Sequence, residues 1–311
     1  MAVTLLEAAK LNSGDIKRSA VIEMFAANSD LLRVLPWEDI PGGSLSYNQE
    51  GALPGVAFRG FNEGYSESTG VINPATEVLR IAGGDVDVDK ALIKTRGEGI
   101  RASQENMKIK ALSLHLAGKI INGDSETSNG REFDGLRKRV TGGQLIPANL
   151  STPNASAPLS LEALDAAIDA VDGATHIIMS KDMRRKLTSA ERNINVAGYI
   201  TYSQDEFGQR FARYNDLPIL IADYDDLGNQ IIPFTEAGPD GVLTNASLYV
   251  ASFGDGKLTG LQNETMEVSD LGELQAKPVF RTRIEWLVGM AVMHGRAVSR
   301  VWGISNGAVT K

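Results

Sequence analysis

The sequence predicts an α+β fold, and three observations carry that prediction. The stretch from about Ile100 to Gly123 has the periodicity of one long helix. GGDVDVD (residues 83–89) and VFRTRIEW (residues 279–286) alternate with the two-residue period of half-buried strands. Residues 160 to 265 interleave capped helices with short apolar strands.

The helix is the spine of the prediction. Met107, Ala111, Leu114, Gly118 and Ile121 recur at steps of four and three, which stacks them on one face, the expected core face. Ile109, Leu112, Leu116 and Ile120 widen the apolar surface, so the helix must be covered over much of its circumference. Lys108, His115, Lys119 and Asn122 leave a narrow polar stripe, and Gly123 is expected to supply a left-handed stop. Roughly 24 residues at 1.5 Å each make a rod about 36 Å long.

Before the helix the chain changes character twice. Leu5, Ala8, Ala9 and Leu11 suit one short amphipathic piece, and Ile16, Ala20, Met24 and Ala27 a second. Leu31, Leu32, Val34, Leu35 and Trp37 then form an apolar cluster ended by Pro36 and Pro41, which either reaches another surface or packs on its own core. Residues 42 to 75 are dense in glycine and serine yet carry Leu53, Val56, Phe58, Phe61 and Tyr65. A floppy linker would not hold three aromatics in eight residues; a protruding β-hairpin that packs on something else fits. In the strand that follows, Val86 and Val88 alternate with Asp85, Asp87 and Asp89.

After the helix, a polar loop ends in the apolar anchor Phe133 and Leu136. Residues 141 to 160, rich in Pro, Ser, Asn and Ala, form the best candidate domain junction. Ser160 and Ser180 are expected helix caps, and THIIMS, LPILIADY, QIIPF and SLYVASFG read as strands. In VFRTRIEW, Arg281, Arg283 and Glu285 share one face and Phe280, Ile284 and Trp286 the other, and the largely apolar run LVGMAVMHGRAVSRVWGI continues it.

Composition narrows the functional classes. A chain of 311 residues with 42% hydrophobic and 23% charged residues can bury a sizeable core in about two domains. It has no cysteine, so disulfides and thiolate metal sites are closed to it. A net charge of −8 argues against a basic groove that clamps nucleic acid but allows a container around it. The apolar run Trp286–Met293 is far short of the ~20 residues that span a bilayer, so no membrane partner is expected. The N-terminus lacks the pattern of a secretory signal, which makes the four Asn-x-Ser/Thr sequons coincidences of composition.

Chemical motifs are scarce. His115, His176 and His294 sit in unrelated elements without metal-ligand spacing. No nucleophile elbow, phosphate-binding loop or dinucleotide fingerprint occurs. Asp85, Asp87 and Asp89 begin like a calcium loop, but Lys90 and Arg96 stand where glycine and glutamate are needed, so the solvated face of a strand is the better reading. No catalytic, metal or cofactor site is expected. The weight falls on a protein that holds a shape and contacts neighbours.

The order of parts resembles the major capsid protein of tailed bacteriophages, the Hong Kong 97-type fold. The wording that carries this is LPGVAFRGFNEGY, IAGGDVDVDKALI, IINGD followed by EFDGLRK, HIIMSKDMRRKL and RTRIEWLVGMAVMHGRAVSRVWGI. The resemblance implies an N-arm (1–41), an extended loop (42–75), a peripheral domain (76–155 and 266–311) holding the spine helix, and an α/β axial domain (156–265). It implies self-assembly into pentamers and hexamers that close an icosahedral shell around double-stranded DNA without sequence-specific binding. Separate scaffolding, portal and decoration proteins would be partners, with assembly in the host bacterial cytoplasm and the virion as destination. Phe58, Arg59, Phe61, Glu63, Tyr65 and Glu67 become the expected inter-subunit contacts. The family's founding member welds its shell by an isopeptide bond from a lysine in the extended loop; here no lysine occurs between Lys17 and Lys90, so a non-covalent shell is expected. An encapsulin-like shell around protein cargo is the alternative. A soluble enzyme using Asp85, Asp87 and Asp223 is a third reading of a different class.

Overall fold

The structure, a computed structural model, describes residues 3–4, 29–97, 99–192, 200–204 and 210–311. The two amphipathic pieces read between residues 5 and 27 lie outside the described residues.

The chain runs from β1 (Val3–Thr4) through α1 (Asp30–Val34), β2 (Pro36–Asp39), β3 (Ser44–Ala52), β4 (Val71–Val78) and β5 (Arg80–Asp89) to α2 (Lys90–Arg96). The long helix α3 (Gly99–Asn122) and the short α4 (Leu136–Arg139) follow, then β6 (Leu145–Pro147), α5 (Leu161–Asp169), β7 (His176–Met179) and α6 (Lys181–Glu191). The remainder is strand: β8 (Ile200–Gln204), β9 (Arg210–Tyr214), β10 (Leu217–Ile221), β11 (Asn245–Ala251), β12 (Leu258–Gln262), β13 (Glu267–Glu273), β14 (Val279–Val292) and β15 (Val298–Ser305).

Three sheets result. The first has the order β1-β2-β12-β14-β13, with β5 also paired to β14. The second, β6-β15-β11-β7-β10-β9-β8, mixes parallel and antiparallel pairs. The third is the isolated ladder β3-β4. One core joins the inner face of the first sheet to α3 and α1, through Leu31, Leu35, Trp37, Ile109, Leu116, Ile120, Ile284 and Trp286. A second packs α5 and α6 on the second sheet, through Leu164, Met183, Leu187, Ile177, Leu248 and Val301.

Several expectations change. The cluster at residues 31–37 packs on its own chain: Leu31, Leu32, Leu35 and Trp37 are buried, and Trp37 lies 4.6 Å from Trp286 between ring centroids. Residues 145–147 and 298–305, assigned by sequence to the peripheral segments, pair instead within the second sheet, where β15 lies between β6 and β11. The reason is satisfaction of β11: every residue of it is buried, so its backbone needs a strand on both sides, and β7 and β15 supply them. The continuous strand expected from residue 279 onwards therefore breaks after Val292, and the chain crosses between sheets.

The expected junction at 141–160 is tucked in only in part, with residues 141–143 and 150–155 exposed. Ala148, Ala157 and Leu159 are buried, and Ala148 N and Ala157 N donate to the carbonyls of Trp302 (3.0 Å) and Gly303 (3.2 Å). QIIPF is not a strand: Ile231 and Ile232 are buried in the first core from a turn, with only a single bridge between Tyr224 and Gln230. Ser180 caps α6 by accepting from Met183 N at 3.3 Å, whereas Ser160 directs its hydroxyl to the Lys311 carbonyl (2.8 Å).

Candidate assembly surfaces

The spine helix shows how one element divides between core and surface. Its buried stripe is Ile109, Leu112, Leu116 and Ile120, joined by Ser113, Ala117, Gly118 and Ile121. Of the face first assigned to the core, Gly118 and Ile121 are buried, Ala111 and Leu114 are half-buried, and Met107 is exposed. At 3.6 residues per turn the stripe of Ile109, Leu112, Leu116 and Ile120 centres about half a turn from the face first assigned, and these aliphatic side chains take the position against the sheet. The first turns of α3 are held by polar contacts instead: Arg101 donates to Thr282 Oγ1 (2.8 Å) and pairs with Asp270 (2.6 Å). The anchor residues Phe133 and Leu136 are buried in the same core as the helix. Gly123 does not adopt a left-handed conformation. Glycine is required there by close approach, since a Cβ would stand 2.4 Å from the Phe133 carbonyl oxygen.

The hairpin β3-β4 is pinned at its base and bare at its tip. Tyr47 donates its hydroxyl to the Val292 carbonyl (3.2 Å) and to Glu77 Oε1 (3.3 Å), and Gln49 Nε2 donates to the same carbonyl at 2.7 Å. Burial first, and then the Glu77 charge, push the Tyr47 phenol up to about 12. Glu77 is also gripped by both Nη atoms of Arg139, whose Nε donates to the Asp134 carbonyl at 2.6 Å. These four anchoring residues carry no periodic or motif signal; isolated polar side chains in strands and at a helix end become informative only once folded together.

Residues 53–70 form the tip, without regular secondary structure. Val56, Phe58 and Phe61 are essentially fully exposed, and Leu53 and Tyr65 largely so. The tip is nonetheless organised by its own bonds. Gly60 N donates to Glu63 Oε2 (2.9 Å), Arg59 Nη1 to the Glu63 carbonyl (3.2 Å) and Ser68 Oγ to the Gly55 carbonyl (3.0 Å). The Arg59 guanidinium stands 5.4 Å from the Tyr65 ring centroid, and Glu67 is exposed. Five large apolar residues shown to solvent on one stalk make an interaction surface.

The outer face of the first sheet is charged and orderly. Arg283 holds Asp85 through Nε (2.8 Å) and Nη2 (3.0 Å), and Arg281 holds Asp87 through Nε and Nη2, both at 2.6 Å. Hydrogen bonding to these guanidinium groups keeps both carboxyls below their ordinary range. Asp89 caps α2, accepting from Ala91 N at 2.7 Å. The aspartate triplet is thus committed to arginines and a cap, and no cluster of metal-ligating side chains occurs among the described residues.

The remaining titratable candidates are dispersed. His115 Nδ1 lies 2.9 Å from Asp226 Oδ1. Burial, with Arg213 nearby, lowers His176 to about 4. His294 Nδ1 accepts from Arg296 N at 3.2 Å. Asp223 is paired with Lys181 at the end of β10.

With this geometry in view, known proteins are informative. A family model described as "Major capsid protein GP7" matches residues 13–151, somewhat less than half of the chain. No curated protein sequence matches it. Among solved structures, the holo-SrpI encapsulin complex from Synechococcus elongatus is similar with a TM-score of 0.63 at 18% identity, covering 88% of this chain and 87% of that one. The capsid of a native GTA particle gives 0.62 at 15% identity over 89% and 90%. Microbacterium phage Oxtober96 gives 0.59 at 14% over 88% and 90%. The chain has the Hong Kong 97-type fold shared by phage capsids and encapsulins. In its partial family match and in its fold the chain is similar to the major capsid proteins of tailed phages.

Proposed function

We propose that this chain assembles as pentamers and hexamers into an icosahedral shell that encloses double-stranded DNA and becomes the capsid of a virion. The observation that carries the reading is the hairpin: its base is fastened to the body by Tyr47, Gln49 and Glu77, while Phe58, Phe61 and Tyr65 at its tip have no cover. A stalk of that kind gains stability only by lying on another copy. Residues 29–41 act as the inner end of an N-arm, and residues 42–78 as the extended loop. The first sheet with α3 forms the peripheral body, and the second sheet, including β6 and β15, the axial one. Scaffolding, portal and decoration proteins are its partners, and assembly takes place in the host bacterial cytoplasm. A net charge of −8 suits a wall that must not trap its genome.

Electron microscopy of the purified protein tests this: closed shells support it, and a stable monomer or dimer at high concentration overturns it. The loop has no lysine and the chain no cysteine. Particles boiled in detergent should therefore release a single band near 33.3 kDa, not a covalent ladder. The likeness to an encapsulin favours a second reading, a shell around protein cargo. Particle contents separate the two: DNA supports the first, a cargo protein the second.

A further inference from the structure

On the outer face of the first sheet, backbone register fixes which side chains stand in each row. Arg281 is opposite Asp87 and Arg283 opposite Asp85 across β14 and β5, so each of these rows is neutral. The next row places Gly83 opposite Glu285, and Glu285 opposite Glu267 on β13. Two carboxylates therefore meet directly across antiparallel strands, an arrangement that repels. Glu267 accepts from its neighbour Ser269 Oγ (3.0 Å). Arg283, already bidentate to Asp85, comes no nearer to Glu285 than 3.9 Å. The third strand cannot contribute a cation, because a Cβ at Gly83 would stand 2.2 Å from the Ile284 carbonyl oxygen. The row after that is apolar: Ile81, 71% exposed, opposite Leu287. The face thus offers two unbalanced carboxylates beside the uncovered Ile81, while Leu287 is half-buried against the cluster of Ile40, Leu79, Leu261 and Ala291.

We propose that this row receives Arg59 from the hairpin tip of a second copy, with Phe58 and Phe61 covering Ile81. Arg59 is the only basic residue between positions 42 and 75, and within its own chain its guanidinium meets a carbonyl and a ring. Cation and aromatics on the tip match carboxylates and an aliphatic side chain on the sheet. The chain's own tip does not fit the role. β4 leads into β5 through Leu79 alone, so the row lies just past the hairpin's base, whereas the tip is a full eight-residue strand away, about 26 Å. Folding back would break the β3-β4 ladder.

The inference rests on the shell-forming reading and names the receptor for its loop. The test is a charge exchange, read by sedimentation as the protein concentration at which half the chains enter shells. Arg59→Glu and Glu285→Lys should each raise that concentration about tenfold, and the double variant should return to within about threefold of the parent. Arg59 is fully outside the cores, so melting of the dissociated subunit should be unchanged. Because the chain has no cysteine, Arg59→Cys combined with Glu285→Cys should give disulfide-linked multimers on mild oxidation and neither single variant should. Singles that assemble like the parent, a double variant worse than either single, or no linked multimers would each overturn the latch while leaving the shell intact. Loss on Glu285→Lys with Arg59→Glu inert assigns the row to a different partner and also overturns it. A parent chain that forms no shells removes the functional reading itself.

Discussion

Two apolar segments flank the start of the first sheet and have opposite fates. Leu31, Leu32, Leu35 and Trp37 are buried, with Trp37 packed on Trp286 and over Gly260, where a Cβ would stand 2.7 Å from the indole. Some twenty residues later, Val56, Phe58, Phe61 and Tyr65 stand in solvent. Side-chain chemistry is the same in both; anchorage differs. β2 enters the sheet by pairing in parallel with β12, which carries Trp37 over the core, whereas β3 and β4 pair only with each other and carry the tip away from it. One segment stabilises the subunit, and the other has its stabilising effect only between subunits.

Substitutions can break that contrast, and the largest effect belongs at the core shared by α3 and the sheet. Ile120→Asp buries an unpaired carboxylate at a position 1% exposed and should abolish soluble expression, checked by the soluble fraction after lysis. Trp37→Ala should cost the subunit about 3–5 kcal/mol in urea unfolding, because the void between Trp286 and Gly260 cannot collapse. Phe58→Ala should leave subunit unfolding within about 0.5 kcal/mol of the parent yet sharply reduce shell yield. Equal losses of subunit stability in Trp37→Ala and Phe58→Ala would erase the distinction between the segments.

The smallest effect is expected from the Asp–Arg rows. Asp85 and Asp87 have folded values held below their unfolded ones, so their contribution is fully present above the unfolded value of about 3.9 and is lost as pH falls through the folded values. Asp85→Asn should therefore be less stable than the parent at pH 7, and the gap should close on acidification below about pH 4. A gap that widens in acid would reverse the assignment. Both pairs are partly solvated, so the difference should be modest and shrink with added salt.

Much of this was legible locally. The helix at Gly99–Asn122, the alternation of Arg80–Asp89 and the two strands around a glycine-rich tip follow from periods of 3.6 and 2 and from turn composition, which depend only on near neighbours. Tertiary structure decided the rest. It chose Ile109 over Met107 for the core, tucked residues 31–37 under β12, sent β15 to the second sheet, and gathered Tyr47, Glu77 and Arg139 at the hairpin's base. Each of those outcomes depends on a partner far along the chain: Trp37 on Gly260, Tyr47 on Val292, Arg139 on Glu77. Periodicity states that a face is apolar; only packing against distant residues determines which face is covered, and whether its own chain covers it.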